Sequence, residues 1–281
     1  MQTFVFIAVL FAALCHAGWN ALIKTGLDPL RATTLIALGA VTVALVLLPF
    51  AGLPSTAAWP WLVASMAIHV FYFAGLIEAY RAGDLGQVYP IARGAAPLMT
   101  ATAATIFVGE HLFALGWAGI AALATGVLLL SARGGSGLAH LDRRAVGFAL
   151  FTAVTICAYS VVDGVGARAS GNAPGYTLSL FVGNGICLVL YALGREGTAV
   201  LKPLPHLWRR ALLGGAMQIM SYGIALWAMT LAPIAIVATL RETSVLFGTA
   251  IAVAMLKEPL KPVRIAAAVL IMAGLVAIRM A

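Results

Sequence analysis

Charge is scarce in this sequence. Seventeen lysines and arginines and nine aspartates and glutamates make up 9% of its 281 residues, against about 25% in a soluble globular domain. So few charges cannot cover a soluble fold, and no polar stretch is long enough to build an extramembrane domain. Cysteine is also rare: Cys15, Cys157 and Cys187 each sit inside an apolar run. Their odd number and irregular spacing exclude a disulfide framework. His16 and His69 have no ligand spacing on one helix, so neither a metal nor any other cofactor is expected. The chain offers no nucleophile–base pair for an intramembrane enzyme. Gly164-Val165-Gly166 follows no strand and lacks a completing glycine, so it is not a nucleotide fingerprint. The net charge of +8 comes without a basic, aromatic-interleaved stripe, so no nucleic-acid partner is implied.

What the chain has is apolar length, with 63% hydrophobic residues. Runs of about 20 apolar residues, bounded by Pro, Gly and charge, predict an all-α polytopic membrane protein, with the lipid bilayer as its surroundings. Ten transmembrane helices are expected, near 3–24, 30–51, 58–82, 86–109, 113–132, 144–167, 173–195, 206–231, 233–256 and 260–280. The first run lacks a basic leader region and reads as a retained span rather than a signal peptide.

The stretch from Arg133 to Arg144 is basic, Gly-rich and central. It divides the chain into a five-helix repeat over 1–133, an inter-repeat loop over 134–143 and a second five-helix repeat over 144–281. Arg93 and Glu110 are 17 positions apart, as are Arg241 and Glu258, and the second pair lies 148 positions after the first. Leu98 and Leu246, Leu112 and Leu260, and Gly126 and Gly274 share that offset. An odd number of spans per repeat inverts the second half relative to the first, an arrangement of secondary transporters with a site near the midplane.

Loops after the odd-numbered spans carry thirteen basic residues, from Lys24 to Arg264, whereas the opposite side carries Arg168 and Arg279. The positive-inside rule then puts both termini in the periplasm or outside, in a plasma (inner) membrane. Helix rise places Arg93 about 10 Å from the cytoplasmic face and Arg241 about 12 Å from the outer one. An arginine at such depth is costly and marks a candidate site.

The ten short-looped spans combine with three quoted stretches: CHAGWNALIK (15–24), AYRAGDLGQVYPIARGAAP (79–97) followed by Gly109-Glu110, and ALWAMTLAPIAIVATLRETSV (225–245) followed by KEPL (257–260). Together they resemble the EamA family of the drug/metabolite transporter superfamily over essentially the whole chain. The resemblance implies a gradient-driven or proton-linked carrier of a small-molecule solute, with a cavity between inverted repeats.

Arg93 has two readings, an ion pair with Glu78 on the antiparallel neighbour or a role in binding. Tyr89 precedes it, and Pro90 and Pro97 flank it, each removing a backbone donor where a cavity would tolerate the loss. Arg241 and Glu242 are about 100° apart on an ideal helix, so one is expected to face the cavity and the other a neighbouring helix. Glu242 and Glu78 are the coupling candidates, because a low-dielectric setting disfavours a bare carboxylate and invites a proton. Glu110 and Glu258 end their helices and are expected to cap the ones that follow. Polar stripes at helical spacing mark the interior: His16, Trp19 and Asn20; His69 and Tyr72; Tyr159 and Asp163; Gln218 and Tyr222. Two arginines near the midplane favour an anionic or zwitterionic metabolite. The runner-up is an exporter of cationic or amphipathic drugs, served by cation–π contacts of Trp19, Tyr72, Tyr222 and Trp227. A non-transporting, lipid-handling subunit is a third reading.

Overall fold

A computed structural model describes residues 1–23, 27–82, 85–131, 143–256 and 262–281. Among them there are helices and no strand: α1 (Thr3–Ile23), α2 (Pro29–Ala51), α3 (Trp59–Ala82), α4 (Leu85–Ala103), α5 (Ala114–Ser131), α6 (Arg143–Ser170), α7 (Ala173–Glu196), α8 (Leu204–Leu231), α9 (Ile234–Arg241), α10 (Ser244–Leu256) and α11 (Pro262–Met280). Nine helical stretches of the described residues are long and apolar enough to cross a membrane. The expected fifth span, in α5, is a shorter apolar helix over Ala114–Leu130. The expected ninth span is split into α9 and α10 by a turn at Glu242 and Thr243. The inter-repeat segment, the loop carrying Glu258, and the side chains of Glu78, Tyr89 and Pro90 lie outside the described residues.

The side-chain distribution is that of a protein in lipid. Large apolar residues such as Phe50 (86% exposed) and Phe107 (81%) point outward, where hydrocarbon replaces water. Interior threonines return their hydroxyls to their own helices, with Thr34 donating to the Leu30 carbonyl at 2.7 Å and Thr239 to that of Ala235 at 2.7 Å. Each thereby satisfies its hydroxyl without an external partner.

Close helix approach is set by small residues. A Cβ added to Gly119 on α5 would lie 2.9 Å from the Gly274 carbonyl oxygen on α11, and one added to Gly274 would lie 2.8 Å from that of Gly119. The two backbones touch where either side chain would intervene. Gly39 on α2 and Gly215 on α8 meet backbone across their interface in the same way.

Helix partners recur between the halves. α1 packs on α8 and α6 on α3; α2 packs on α8 and α7 on α3; α4 packs on α6, and α9 and α10 pack on α1. α4 and α9 also pack on each other, which brings Arg93 and the α9–α10 turn to one depth. Arg93 lies eight residues past Leu85, and Glu242 eight past Ile234, each about 12 Å into its span. Both chain ends share one end of the bundle, where Arg279 donates to the Met1 carbonyl at 3.0 Å and to the Thr3 hydroxyl at 2.6 Å.

Gly274→Val should destabilise the protein by about 1–3 kcal/mol, the range for overpacking a close contact. Thermal unfolding in detergent would show a lowered midpoint. Gly147→Val, where an added Cβ meets nothing within 4 Å, should leave it nearly unchanged.

Candidate functional site

The turn between α9 and α10 is tightened. Glu242 N donates to Thr239 O at 3.0 Å, Thr243 N to Leu240 O at 3.1 Å and Val245 N to Glu242 O at 3.0 Å, all i to i−3 bonds. This one-turn departure from α geometry carries Arg241 and Glu242 to the same cleft, against the expectation that they point to different neighbours. The cleft is lined by Arg93, Pro97 and Thr100 of α4, Tyr159 and Ser160 of α6, and Arg241 and Glu242. It is tight, with room for about one water molecule among these side chains.

Arg93 Nε lies 2.8 Å from Glu242 Oε2, and its Nη2 donates to Ser244 Oγ at 3.0 Å. Arg93 is 8% exposed and Glu242 5%, so water does not screen this pair. The described structure thus gives Arg93 a carboxylate from the other half of the chain, where the sequence offers Glu78. Pro97 lacks the N–H that would meet the Arg93 carbonyl, four residues earlier, and so frees an acceptor beside the cleft.

Arg241 is held differently. Its guanidinium carbon lies 4.7 Å from the centre of the Tyr222 ring, a cation–π distance. Its Nε is buried without a hydrogen-bond partner, and among the described residues no carboxylate is in salt-bridge contact with it. Tyr222 in turn donates its hydroxyl to Asp163 Oδ2, and Tyr176 donates to Asp163 Oδ1 at 2.9 Å. Behind them an aromatic cluster closes the wall. His69 stacks on Tyr159 at 4.4 Å, and Tyr72 meets both Tyr159, at 5.7 Å, and His69, at 6.4 Å. His69 Nδ1 lies 2.9 Å from the Ser65 carbonyl.

From the stripe on α1, His16 lies within electrostatic reach of both arginines. Trp19 meets its ring edge-on at 5.2 Å and keeps a buried Nε1 without a hydrogen-bond partner. Asn20 instead donates its amide to the His16 carbonyl at 2.8 Å. Gln218 is half-buried on α8 and does not line the cleft. Ser244, Thr100, Ser160 and Tyr176 carry no sequence signal stronger than their position on a buried face.

Residues 143–280 match the sequence model of the EamA-like transporter family. That half of the chain belongs to the family. The match and the apolar helices together make this a multi-pass membrane protein of the drug/metabolite transporter type, from a family of transporters rather than enzymes. A crystal structure of a protein 16% identical to it superposes with a TM-score of 0.75, covering 99% of this chain and 96% of that one, which shows a shared fold. No curated protein matches the sequence.

In this EamA-like transporter the Gly109-Glu110 pair serves α9, not the helix that follows it in sequence. Gly109 adopts φ 75°, ψ 26°, the left-handed region that disfavours a Cβ. The Glu110 N–H then reaches back to Ala104 O at 3.1 Å. That turn aims the Glu110 carboxylate at the start of α9, where it accepts from Ile234 N at 2.7 Å and Ala235 N at 3.2 Å. These are orphan donors at the positive end of the helix that carries Arg241. Arg168 completes the clamp, 2.7 Å from Glu110 Oε1 and donating to the carbonyls of Met229 at 2.8 Å and Ala232 at 3.1 Å. The first half of the chain therefore grips α9 at its start through Glu110 and at its end through Arg93.

Glu110→Gln should lower stability by about 1.5–3 kcal/mol, the range for hydrogen bonds to a charged group. Adding Arg168→Met should cost less than the sum of the single changes, because they share one network. Thermal unfolding of the two single mutants and the double would measure it.

Proposed function

We propose that this transporter carries a small anionic or zwitterionic metabolite and binds its acidic group between Arg93 and Arg241. The observation that carries this reading is the pair of guanidiniums in one cleft: among the described residues, Arg93 and Arg241 line it with one carboxylate, Glu242. Glu242 then acts as an internal competitor, holding Arg93 until a solute carboxylate or phosphonate takes its place with matching planar geometry. His16, Trp19, His69, Tyr72, Tyr159 and Tyr222 are the proposed wall for the rest of the solute. Asn20 and Gln218 are kept as outer candidates.

The cleft is too tight for a metabolite, so binding requires α9 to move relative to α4. Rocking of two inverted five-helix repeats, over 1–133 and 144–281, would provide that motion. The recurrence of helix partners between the halves supports such a relation. The cationic-drug reading is weaker on one observation: the Tyr222 face that would receive a cation already carries Arg241.

A thermal-stability screen of purified protein against methylphosphonate, L-glutamate, L-alanine and choline tests the solute class. Stabilisation by the acids and not by choline is expected, and the reverse would favour the drug reading. Arg93→Gln and Arg241→Gln should each insert normally, since the change removes a membrane charge. Each should weaken uptake of the stabilising acid into proteoliposomes by about 10–100-fold, equivalent to about 1.5–3 kcal/mol.

The proposed orientation places both termini, the Glu110–Arg168 clamp and the start of α9 on the outer side of the plasma membrane. A reporter fused after Ala281 should be active in the periplasm, and activity confined to the cytoplasm would reverse the assignment.

A further inference from the structure

Asp163 is wholly buried, at 0% exposure, in the middle of α6. The solute reading above gives it no role. Among the described residues its oxygens are met by neutral hydroxyls, Tyr222 on one, Tyr176 on the other and Ser65 beside them, rather than by a contacting cation. The titratable and charged groups around it come from the elements packed on α6. His69 on α3 acts on Asp163 directly and is linked to it through Ser65, and Arg241 on α9 acts on His69. Arg93 on α4 faces Tyr159, on Asp163's own helix. A buried carboxylate without a contacting cation needs a balancing charge nearby, and the geometry identifies one. Tyr222 touches Asp163 with its hydroxyl and Arg241 with its ring face.

Among the described residues, the cleft and the side chains behind it therefore form two balanced sets. Arg93 and Glu242 neutralise each other directly, while Arg241 and Asp163 do so through the phenol between them. The two sets differ in what a proton would disturb. Protonating Glu242 in the resting site leaves Arg93 facing a neutral acid. Protonating Asp163 leaves two phenol oxygens that can still accept a hydrogen bond, so its partners survive by rotating one O–H. Hydrogen bonding to a carboxylate also makes the Tyr222 ring richer in electrons, which strengthens its hold on Arg241.

We infer that Asp163 is a proton site governing Arg241: the proton that accompanies an anionic solute binds Asp163 Oδ2, and Tyr222 passes the change to the guanidinium. This rests on the solute reading above, in which Arg241 takes the solute's acidic group. The balance is simple. The solute adds one negative charge to a neutral cluster and one proton removes it. On protonation, Oδ2–H donates to the Tyr222 oxygen, where Tyr222 had donated before. The ring loosens its grip, and Arg241 turns to the solute. Because linkage is reciprocal, a solute on Arg241 raises the affinity of Asp163 for its proton by the same factor.

The ligand-free test is infrared difference spectroscopy of the full-length protein in lipid, on acidification. Wild type should gain the stretch of a protonated, hydrogen-bonded carboxyl that Asp163→Asn lacks, and Tyr176→Phe should shift the pH at which it appears. The same band in Asp163→Asn as in wild type would overturn the inference.

The coupled test uses methylphosphonate as the probe, in proteoliposomes with a trapped pH dye. Protons should enter with methylphosphonate in wild type. Asp163→Asn should still exchange methylphosphonate across the membrane while its proton movement falls about tenfold, within the 5–150-fold span of typical coupling factors. Tyr222→Phe, which keeps the acid and removes the link, should show the same loss of proton movement relative to solute. Wild-type proton coupling in either variant would overturn the inference. If wild type moves no methylphosphonate and yet shows the Asp163 band, the solute reading fails at this probe while the proton site stands.

Discussion

A charge in hydrocarbon must find its compensation inside the protein, and most of the central architecture follows from that requirement. Arg93 is almost wholly buried, and a carboxylate from the opposite half of the chain lies 2.8 Å away. That pair dictates that α4 and α9 lie together at mid-depth. The span containing Glu242 breaks at the same point, and Arg241 and Glu242 both line the cleft. The tightened turn at 242–243 is the backbone's accommodation to a charge problem. Intramembrane irregularity of this kind is tolerated only where protein or a cavity surrounds it.

The same logic operates at the helix ends. α9 begins after an extended residue, Ala232, and Pro233. Its first free amides, at Ile234 and Ala235, have no partner within the helix. Glu110 supplies both acceptors from more than a hundred residues away, and Arg168 neutralises the acid. Glu110 can reach them because Gly109 accepts a left-handed conformation at the end of α4. A short helix with no room for its own cap is thus held by the other half of the chain at both ends. Motion of one half against the other must stretch both holds.

The two arginines share a 148-residue offset in the sequence but are held differently. The position equivalent to Glu242 in the first half is Gly94, where an added Cβ would run into Leu128. Among the described residues, the acid that reaches the cleft, Glu242, comes from the second half. Arg93 is ion-paired with it, while Arg241 rests on an aromatic ring. The two guanidiniums of one cleft are therefore held by different chemistry.

The all-α membrane class, most of the spans and the special standing of the two arginines were legible in the sequence because each depends on local quantities: apolar run length, helix rise and the spacing of rare charges. Pro97 and the Gly109-Glu110 pair could likewise be recognised as special, since missing donors and left-handed turns are properties of single residues. Partner choice was not legible. Neighbouring antiparallel helices share depth, which points from Arg93 to Glu78, a side chain outside the described residues; the partner at Glu242, 149 positions away, has no such local signal. Glu110 looked like the cap of α5 because that helix comes next, whereas the free amides it meets belong to α9. The link from Arg241 through Tyr222 to Asp163 joins three helices that no spacing relates. Local chemistry along the chain determined which residues needed compensation; only tertiary packing, through long-range approach of the two halves, decided which groups provided it.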